Sequence, residues 1–570
     1  MKNCFSQSAR VFLFAMCFFA QGLFFSSRIP VFAQSKVDFW SDLPNEVLAH
    51  RIVEQMTDEE LYSQILMFGW AGAEPDKLLY DWVARGLGSV KVFGWNTDDI
   101  NLVAKSISSL QRSASHQRFR IPLFVATDQE GGWIRHVKGE TSTTPGNMAI
   151  GASGYPADAW YSGYYISREI KALGINMNFA PTVDLFTNQD STIIGTRSFG
   201  DDPENAGILG AAFSAGSIAA GVIPTAKHFP GHGATDSDSH INLPIIDIDY
   251  NTFKERELIP FEFLIKEKIP AVMSGHLAFP RIDSTGAPAS LSKYFLTDLL
   301  RGELGYDGLI ITDDMMMNGD TLYAGSLSAA FRMAIEAGND IVISSTTARL
   351  NEALWVNNLA LMRESDAFRS RVKDAAERVI RAKLDYFKSD GAAPLYPNPK
   401  SISKYIPDRE GHKFFLNQAC RSITLYKETD LPLTEEKAGR VLFVGALPRF
   451  FQEGKKRFTN SAEFRFNYEM GPNETAWMCD NISDTAIGYD TIVVCVSSER
   501  SARVAETLKP LGKKVVVLSI MTPSYSFPLD WADEIIVGYS YSGYTFEALF
   551  GALCGEFEIT GALPFERYHR

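Results

Sequence analysis

The segment with the most specific chemistry is Lys227-His228-Phe229-Pro230-Gly231-His232-Gly233-Ala234-Thr235-Asp236-Ser237-Asp238-Ser239-His240. It gathers three histidines, a lysine and aspartates around a glycine-bracketed turn, which equips it for proton transfer. An aspartate two residues from a histidine, as Asp238 is from His240, can hold one imidazole nitrogen and leave the other to donate or accept a proton near neutral pH. In isolation, His240 reads better as a loop histidine satisfied by its neighbours. The same density of His and Asp could hold a metal, with zinc the obvious ion. No H-E-x-x-H or other recognised ligand spacing accompanies it, so no metal and no cofactor are expected.

Further polar residues stand at the ends of short apolar runs: Asp128, Asp184, Lys227 with His228, His276, and Asp313 with Asp314. Eight such runs lie between about residues 60 and 345: Ser63–Gly69, Gly88–Phe93, Pro122–Asp128, Asn176–Asp184, Val222–His228, Ala271–His276, Gly308–Asp313 and Asp340–Ser345. Segments of helical pattern separate them, among them Ala157–Leu173, Pro203–Ala220 and Leu327–Ala337. This alternation suits a (β/α)8 TIM-like barrel better than an open sheet. In a parallel barrel the carboxyl ends of all strands point to one face, so these polar residues are expected to converge. Any one aspartate could merely cap the helix after it. Capping is a poor account of so many polar ends on separate runs.

A helical pattern over Ala367–Phe387 closes this region, and Ser389–Lys404, with Gly391, Pro394, Pro397 and Pro399, reads as a linker. The expected organisation is a barrel over 38–390, a linker over 391–409 and a second domain over 410–570. That domain carries β-rich runs at Arg440–Gly445, Thr491–Ser498, Lys514–Ile520 and Glu534–Tyr539, alternating with helical patterns at Ser501–Leu511 and Thr545–Cys554. A smaller α/β sandwich follows from that pattern. Neither G-x-G-x-x-G after a strand nor G-x-x-x-x-G-K-[ST] occurs, so the domain shows no nucleotide signature.

The whole chain has 570 residues, 45% hydrophobic and 22% charged, enough for substantial cores and unlike a disordered sequence. Its 55 basic and 68 acidic residues leave a net charge of −13, with no run of Lys and Arg dense enough to track a phosphate backbone. Nucleic acid is not an expected partner. Lys2 and Arg10, the apolar run Val11–Phe25 and the small Ala33 describe a signal peptide over 1–33, cleaved after Ala33. The mature protein is then exported, periplasmic or extracellular, without stable membrane insertion. Gln21 and the short apolar run argue against an uncleaved anchor, and Phe14-Ala15-Met16 before Cys17 is a poor lipidation site. Cys420, Cys479, Cys495 and Cys554 would remain, with no C-x-x-C pair to suggest a structural zinc or redox motif.

Lys227–His240 resembles the K-H-F-P-G-H-G-x-x-x-x-D-S-H signature of the β-N-acetylglucosaminidase branch of glycoside hydrolase family three. Asp128-Gln129-Glu130-Gly131-Gly132, Asn178–Asp184, Arg197–Pro203 and Gly305–Asp314 resemble that family's other motifs, and the likeness runs from about residue 40 to 390. Thr560-Gly561-Ala562-Leu563-Pro564 gives a fainter likeness to the family's C-terminal sandwich. The resemblance implies a retaining enzyme in which Asp313 attacks the anomeric carbon, with Asp314 the weaker candidate. His240, paired with Asp238, would take the place of the usual second carboxylic acid. Asp128 would accept hydrogen bonds from sugar hydroxyls, and Arg197, Lys227 and His228 would meet hydroxyl or acetamido oxygens. Relatives often carry Arg eight residues after the first Asp of D-Q-E-G-G. Here that position is His136 with Arg135 before it, and Arg135 is taken as the substrate contact. The expected substrate is a carbohydrate with terminal N-acetylglucosamine, from cell-wall fragments or chitin oligosaccharides. Alternatives are a β-N-acetylglucosaminide phosphorylase, a β-glucosidase or β-xylosidase, and a non-catalytic carbohydrate-binding protein that kept the barrel. Intact Asp313, Asp238 and His240 argue against the last.

Overall fold

The computed structural model describes residues 37–191, 193–235 and 243–566, so the expected signal segment lies outside the described residues. All eight apolar runs of the first region contain strands. They are β1 (Leu66–Phe68), β2 (Ser89–Lys91), β3 (Phe124–Thr127), β6 (Met177–Asn178), β7 (Ile223–Phe229), β8 (Ala271–Ser274), β9 (Leu309–Asp314) and β10 (Ile341–Ser344). They close into a parallel barrel in the order β1-β10-β9-β8-β7-β6-β3-β2. Strands packed on both faces need no polar alternation, which is why the runs read as mostly apolar. Regular pairing in β6 stops after two residues and resumes as a single bridge from Thr182 to Lys227. Pro181 between them has no N–H to give a ladder.

A hairpin that the apolar runs did not signal follows β3: β4 (Gln129–Gly131) and β5 (Ile134–Arg135). Gln129 clamps it, accepting the Val137 N–H at 2.9 Å and donating to the Val137 carbonyl at 3.2 Å. Gly131 has φ +97°, and a Cβ there would lie 2.6 Å from Thr144 Oγ1, so only glycine fits the turn. Helix Pro203–Ala220 follows its expected boundaries: Asp202 caps it through the Asn205 N–H, proline opens it and Gly221 ends it in the left-handed region.

The second sheet has the order β11-β16-β15-β14-β12-β13, with β11 antiparallel. Its strands are β11 (Thr424–Lys427), β12 (Val441–Gly445), β13 (Ser461–Arg465), β14 (Thr491–Val496), β15 (Lys514–Ser519) and β16 (Glu534–Val537). The four inner strands carry the expected β-rich runs. β11 and β13 are edges, half-exposed and polar, so neither stands out as an apolar run. Between the barrel's last helix, Asp366–Phe387, and helix Arg409–Ser422 lies a 3₁₀ turn at Pro399–Lys404.

Barrel and second sheet form one compact unit. Met148, Ala149 and Phe186 from the barrel share a small core with Phe527, Val537, Tyr539 and Phe565. The Asp201 N–H donates to the Pro564 carbonyl at 3.2 Å, and the Glu566 N–H donates to the Asp201 carboxylate at 2.8 Å. Gly200 sits at φ +145°, and a Cβ there would fall 2.1 Å from the Pro564 oxygen. The Thr560–Pro564 motif of the second domain therefore touches the Arg197–Pro203 motif of the first. The four cysteines of the described chain are free thiols. Among the described residues no helix is long and apolar enough to cross a membrane.

Candidate active site

The carboxyl ends of β2, β3 and β7 deliver a buried network of charges. Lys227 Nζ lies 2.6 Å from Asp128 Oδ1 and 2.6 Å from Glu130 Oε1, while Lys91 Nζ lies 2.9 Å from Asp128 Oδ2. Arg197 grips Glu130 with two parallel hydrogen bonds, Nε to Oε2 at 2.9 Å and Nη2 to Oε1 at 2.7 Å. Asn178 holds the bend beneath, accepting the Gln129 N–H and donating to the Gln129 carbonyl. Burial opposes the charges of Asp128, Glu130, Arg197 and Lys227, but their partners outweigh it. Lys227 and Lys91 keep Asp128 well below the usual carboxylate range, and Arg197 and Lys227 keep Glu130 at about 2. Buried ion pairs of this kind contribute little stability compared with packed apolar side chains. A network at the mouth of a barrel is better accounted for as a binding surface for a polar ligand.

His228 connects this network to the aspartates of β9. Asp184 accepts the His228 Nδ1–H at 2.6 Å, the His228 backbone N–H at 3.1 Å and the His232 backbone N–H at 2.7 Å. With Nδ1 committed, His228 Nε2 stands between Arg197 Nη2 at 3.3 Å and Asp313 Oδ2 at 3.9 Å. Among the described residues neither ring nitrogen of buried His232 has a hydrogen-bond partner, and burial pushes its imidazole down to about 4.

Asp313 and Asp314 differ in employment. Asp314 Oδ1 accepts the N–H groups of Met316 at 3.1 Å and Ser345 at 2.9 Å, so it anchors the loop after β9 to the end of β10. Asp313 uses Oδ1 for the Asp314 N–H at 2.7 Å, and its side chain keeps 19% of its surface open. A bulge separates the two roles: Ile341 pairs with Ile311, but Ile343 pairs with Asp314, so β9 gains a residue on β10 just before the mouth. Burial opposes ionisation of Asp313. The imidazoles of His228 and His276 and the ammonium groups of Lys91 and Lys227 outweigh it and hold the carboxyl at about 2. At neutral pH the group is an available carboxylate, suited to bond a cationic carbon.

The structure thus brings Asp128, Arg197, Lys227, His228 and Asp313 together. Arg135 departs from expectation. Its Nη1 donates to the Thr141 carbonyl and hydroxyl at 2.6 and 3.0 Å, while His136 Nδ1 lies 3.5 Å from Asp128 Oδ2. In the hairpin Arg135 pairs with Gln129, and the His136 N–H bonds the Asp128 carbonyl, so side-chain alternation puts His136 on the Asp128 face and Arg135 on the other. Asp238 and His240 lie outside the described residues. Sequence reasoning passed over Glu130 and Lys91 as site residues. Glu130 was signalled by its two-residue spacing from Asp128 on an extended segment, and Lys91 by being a lone charge inside an apolar run. Among the described residues no group of three or more His, Cys, Asp or Glu is arranged to hold a metal ion.

Residues 57–382 match the family described as the glycosyl hydrolase family 3 N-terminal domain. The chain belongs to glycosyl hydrolase family 3. Similar family relatives include beta-hexosaminidase A of Pseudoalteromonas piscicida, 32% identical over 402 residues that cover 61% of this chain and 66% of the relative. The beta-hexosaminidase of Pseudomonas aeruginosa is 35% identical over 229 residues, 40% of this chain and 68% of that one. Among solved structures, a glycoside hydrolase family 3 β-N-acetylglucosaminidase from Paenibacillus superposes with a TM-score of 0.80 at 27% identity, covering 90% of this chain and 99% of that one. A beta-glucoside phosphorylase has the same fold, with a TM-score of 0.76 at 22% identity, covering 92% of this chain and 96% of that one.

Proposed function

We propose that this family 3 glycoside hydrolase is a retaining exo-β-N-acetylglucosaminidase, acting on terminal N-acetylglucosamine of cell-wall or chitin-type oligosaccharides. The observation that carries the reading is the division of labour between the two aspartates of β9: Asp314 is tied to backbone, while Asp313 is ionised and partly open beside the charge network. The names of the relatives, beta-hexosaminidase and β-N-acetylglucosaminidase, support the choice of sugar.

In the proposed reaction, Asp128 and His136 accept and donate hydrogen bonds to sugar hydroxyls, with Lys227 and Arg197 holding the carboxylates that frame them. Asp313 attacks the anomeric carbon as the glycosidic C–O bond breaks. His240, oriented by Asp238, gives its proton to the departing oxygen, an assignment that rests on the sequence motif. The resulting glycosyl ester of Asp313 is cleaved by water, which loses its proton to His240. No metal enters these steps. The basic, apolar and small-residue pattern of residues 1–33 supports export.

A screen of aryl glycosides with and without inorganic phosphate tests the reading. Release of free N-acetylglucosamine, unaffected by phosphate, is the expected result. Formation of N-acetylglucosamine 1-phosphate would make the enzyme a phosphorylase, and preference for an aryl glucoside would reject the acetamido assignment.

A further inference from the structure

His276, two residues past β8, has no exposed side-chain surface, and neither has Asp320. Every polar atom of the ring is engaged. Nδ1 lies 2.9 Å from Asp320 Oδ2 and 2.9 Å from Ser290 Oγ, and Nε2 lies 3.1 Å from the backbone carbonyl of Asp314. Ser290 Oγ is itself 2.8 Å from Asp320 Oδ2, a contact in which only the hydroxyl can donate. A carboxylate and a carbonyl only accept hydrogen bonds, so both ring nitrogens carry hydrogen and His276 is an imidazolium. Asn339 donates to the Ser290 carbonyl at 2.8 Å and accepts from Ser274 at 2.7 Å, closing the assembly onto β8.

The carbonyl gripped by His276 belongs to the residue whose N–H holds the Asp313 carboxylate. We propose that Asp320 and His276 are positioning residues for the nucleophile: they fix the Asp314 backbone that aims Asp313 and place a buried positive charge behind it, without touching substrate. The inference rests on Asp313 acting as the nucleophile of the proposed reaction. A cation at that point makes the Asp313 carboxylate a weaker base and a better leaving group, so its main kinetic effect falls on cleavage of the glycosyl ester.

The groups facing His276 are Asp320, Asp313, Ser290 and the Asp314 carbonyl; those facing Asp313 are His228, His276, Lys91 and Lys227. Burial opposes the imidazolium, but Asp320 and Asp313 outweigh it and raise His276 to about 9.

The test compares wild type with Asp320→Asn, His276→Gln and Asp320→Glu on a dinitrophenyl N-acetylglucosaminide. Cleavage by wild type tests the parent reading by itself. With Asp320→Asn and His276→Gln the acid limb of kcat/KM should rise by about one pH unit, and ester cleavage should slow about tenfold and show as a pre-steady-state burst. Asp320→Glu should restore much of both. An unmoved acid limb and no burst in folded variants overturn the proposal. Thermal melts of wild type from pH 6 to 10 supply a second reading that needs no variant and no activity. A fall in Tm through pH 9 supports the buried imidazolium, and a flat profile overturns it.

Discussion

The backbone N–H of Asp314 donates to the carboxylate of Asp313 at 2.7 Å, so one aspartate of the consecutive pair orients the other. Asp314 meanwhile spends Oδ1 on the N–H groups of Met316 and Ser345. The two should respond differently to substitution. Asp313→Ala is expected to lose nearly all turnover while keeping its melting temperature within a few degrees, and a 2-fluoro glycoside should label Asp313 in the wild type. Asp314→Ala should cost about 1–3 kcal/mol of stability through its two orphaned N–H donors. Mass spectrometry finding the label on Asp314 would reverse the roles.

Proton donation by His240 predicts a dependence on the leaving group. General acid catalysis is worth about 100- to 10,000-fold, so His240→Ala should suffer by that order on an alkyl N-acetylglucosaminide and far less on a dinitrophenyl one. Equal losses on both would mean that His240 binds sugar and the acid lies elsewhere. Azide should restore part of the second step, with the glycosyl azide as product.

His136 faces Asp128, and Arg135 faces Thr141. His136→Ala is therefore expected to raise KM for the aryl glycoside about tenfold with a smaller change in kcat, because a ground-state contact is lost. Arg135→Ala should show its main effect in the melting temperature, since its guanidinium ties the hairpin to Thr141. A KM increase confined to Arg135→Ala would restore the sequence-based choice.

The carboxyls of Glu130 and Asp313 are both held at about 2 in the folded chain, below their ordinary values of 4.5 and 3.8. A depressed folded pKa adds stability above the unfolded value and loses it as protons bind. Tm should thus be level with respect to these groups from pH 7 to 5 and fall steeply between pH 4.5 and 2. Glu130→Gln should lower Tm at pH 7, because Arg197 and Lys227 lose a buried partner at a cost of about 3–5 kcal/mol, and should flatten the acid slope. A wild-type profile level down to pH 2 would refute the assignment of these charges.

The barrel was legible because its strands, buried on both faces, read as short, mostly apolar runs between helical segments, and polar residues at their ends mark the mouth. Asp184, His228 and Asp313 could be read from position alone. The choice of His136 over Arg135 could not, since it depends on a hairpin of short strands whose register is set by Gln129 and Asn178 through side-chain bonds that leave no periodic trace. The roles of Asp313 and Asp314 are separated by a bulge between β9 and β10, a property of the pairing and invisible in either strand by itself. β11 and β13 escaped because an edge strand is hydrogen-bonded on one side and keeps polar residues.

The contact of Pro564 with Asp201 gives the order of synthesis a chemical meaning. Arg197, which clamps Glu130, sits on the loop that ends at Asp201, and that loop leans on residues translated some 360 positions later. A ribosome that has finished the barrel has made every charged group of the network, but not the support for the segment that carries its arginine. The segment around Pro564 then acts as a latch for the loop that carries Arg197, and the charge network gains that support only once the second sheet has docked.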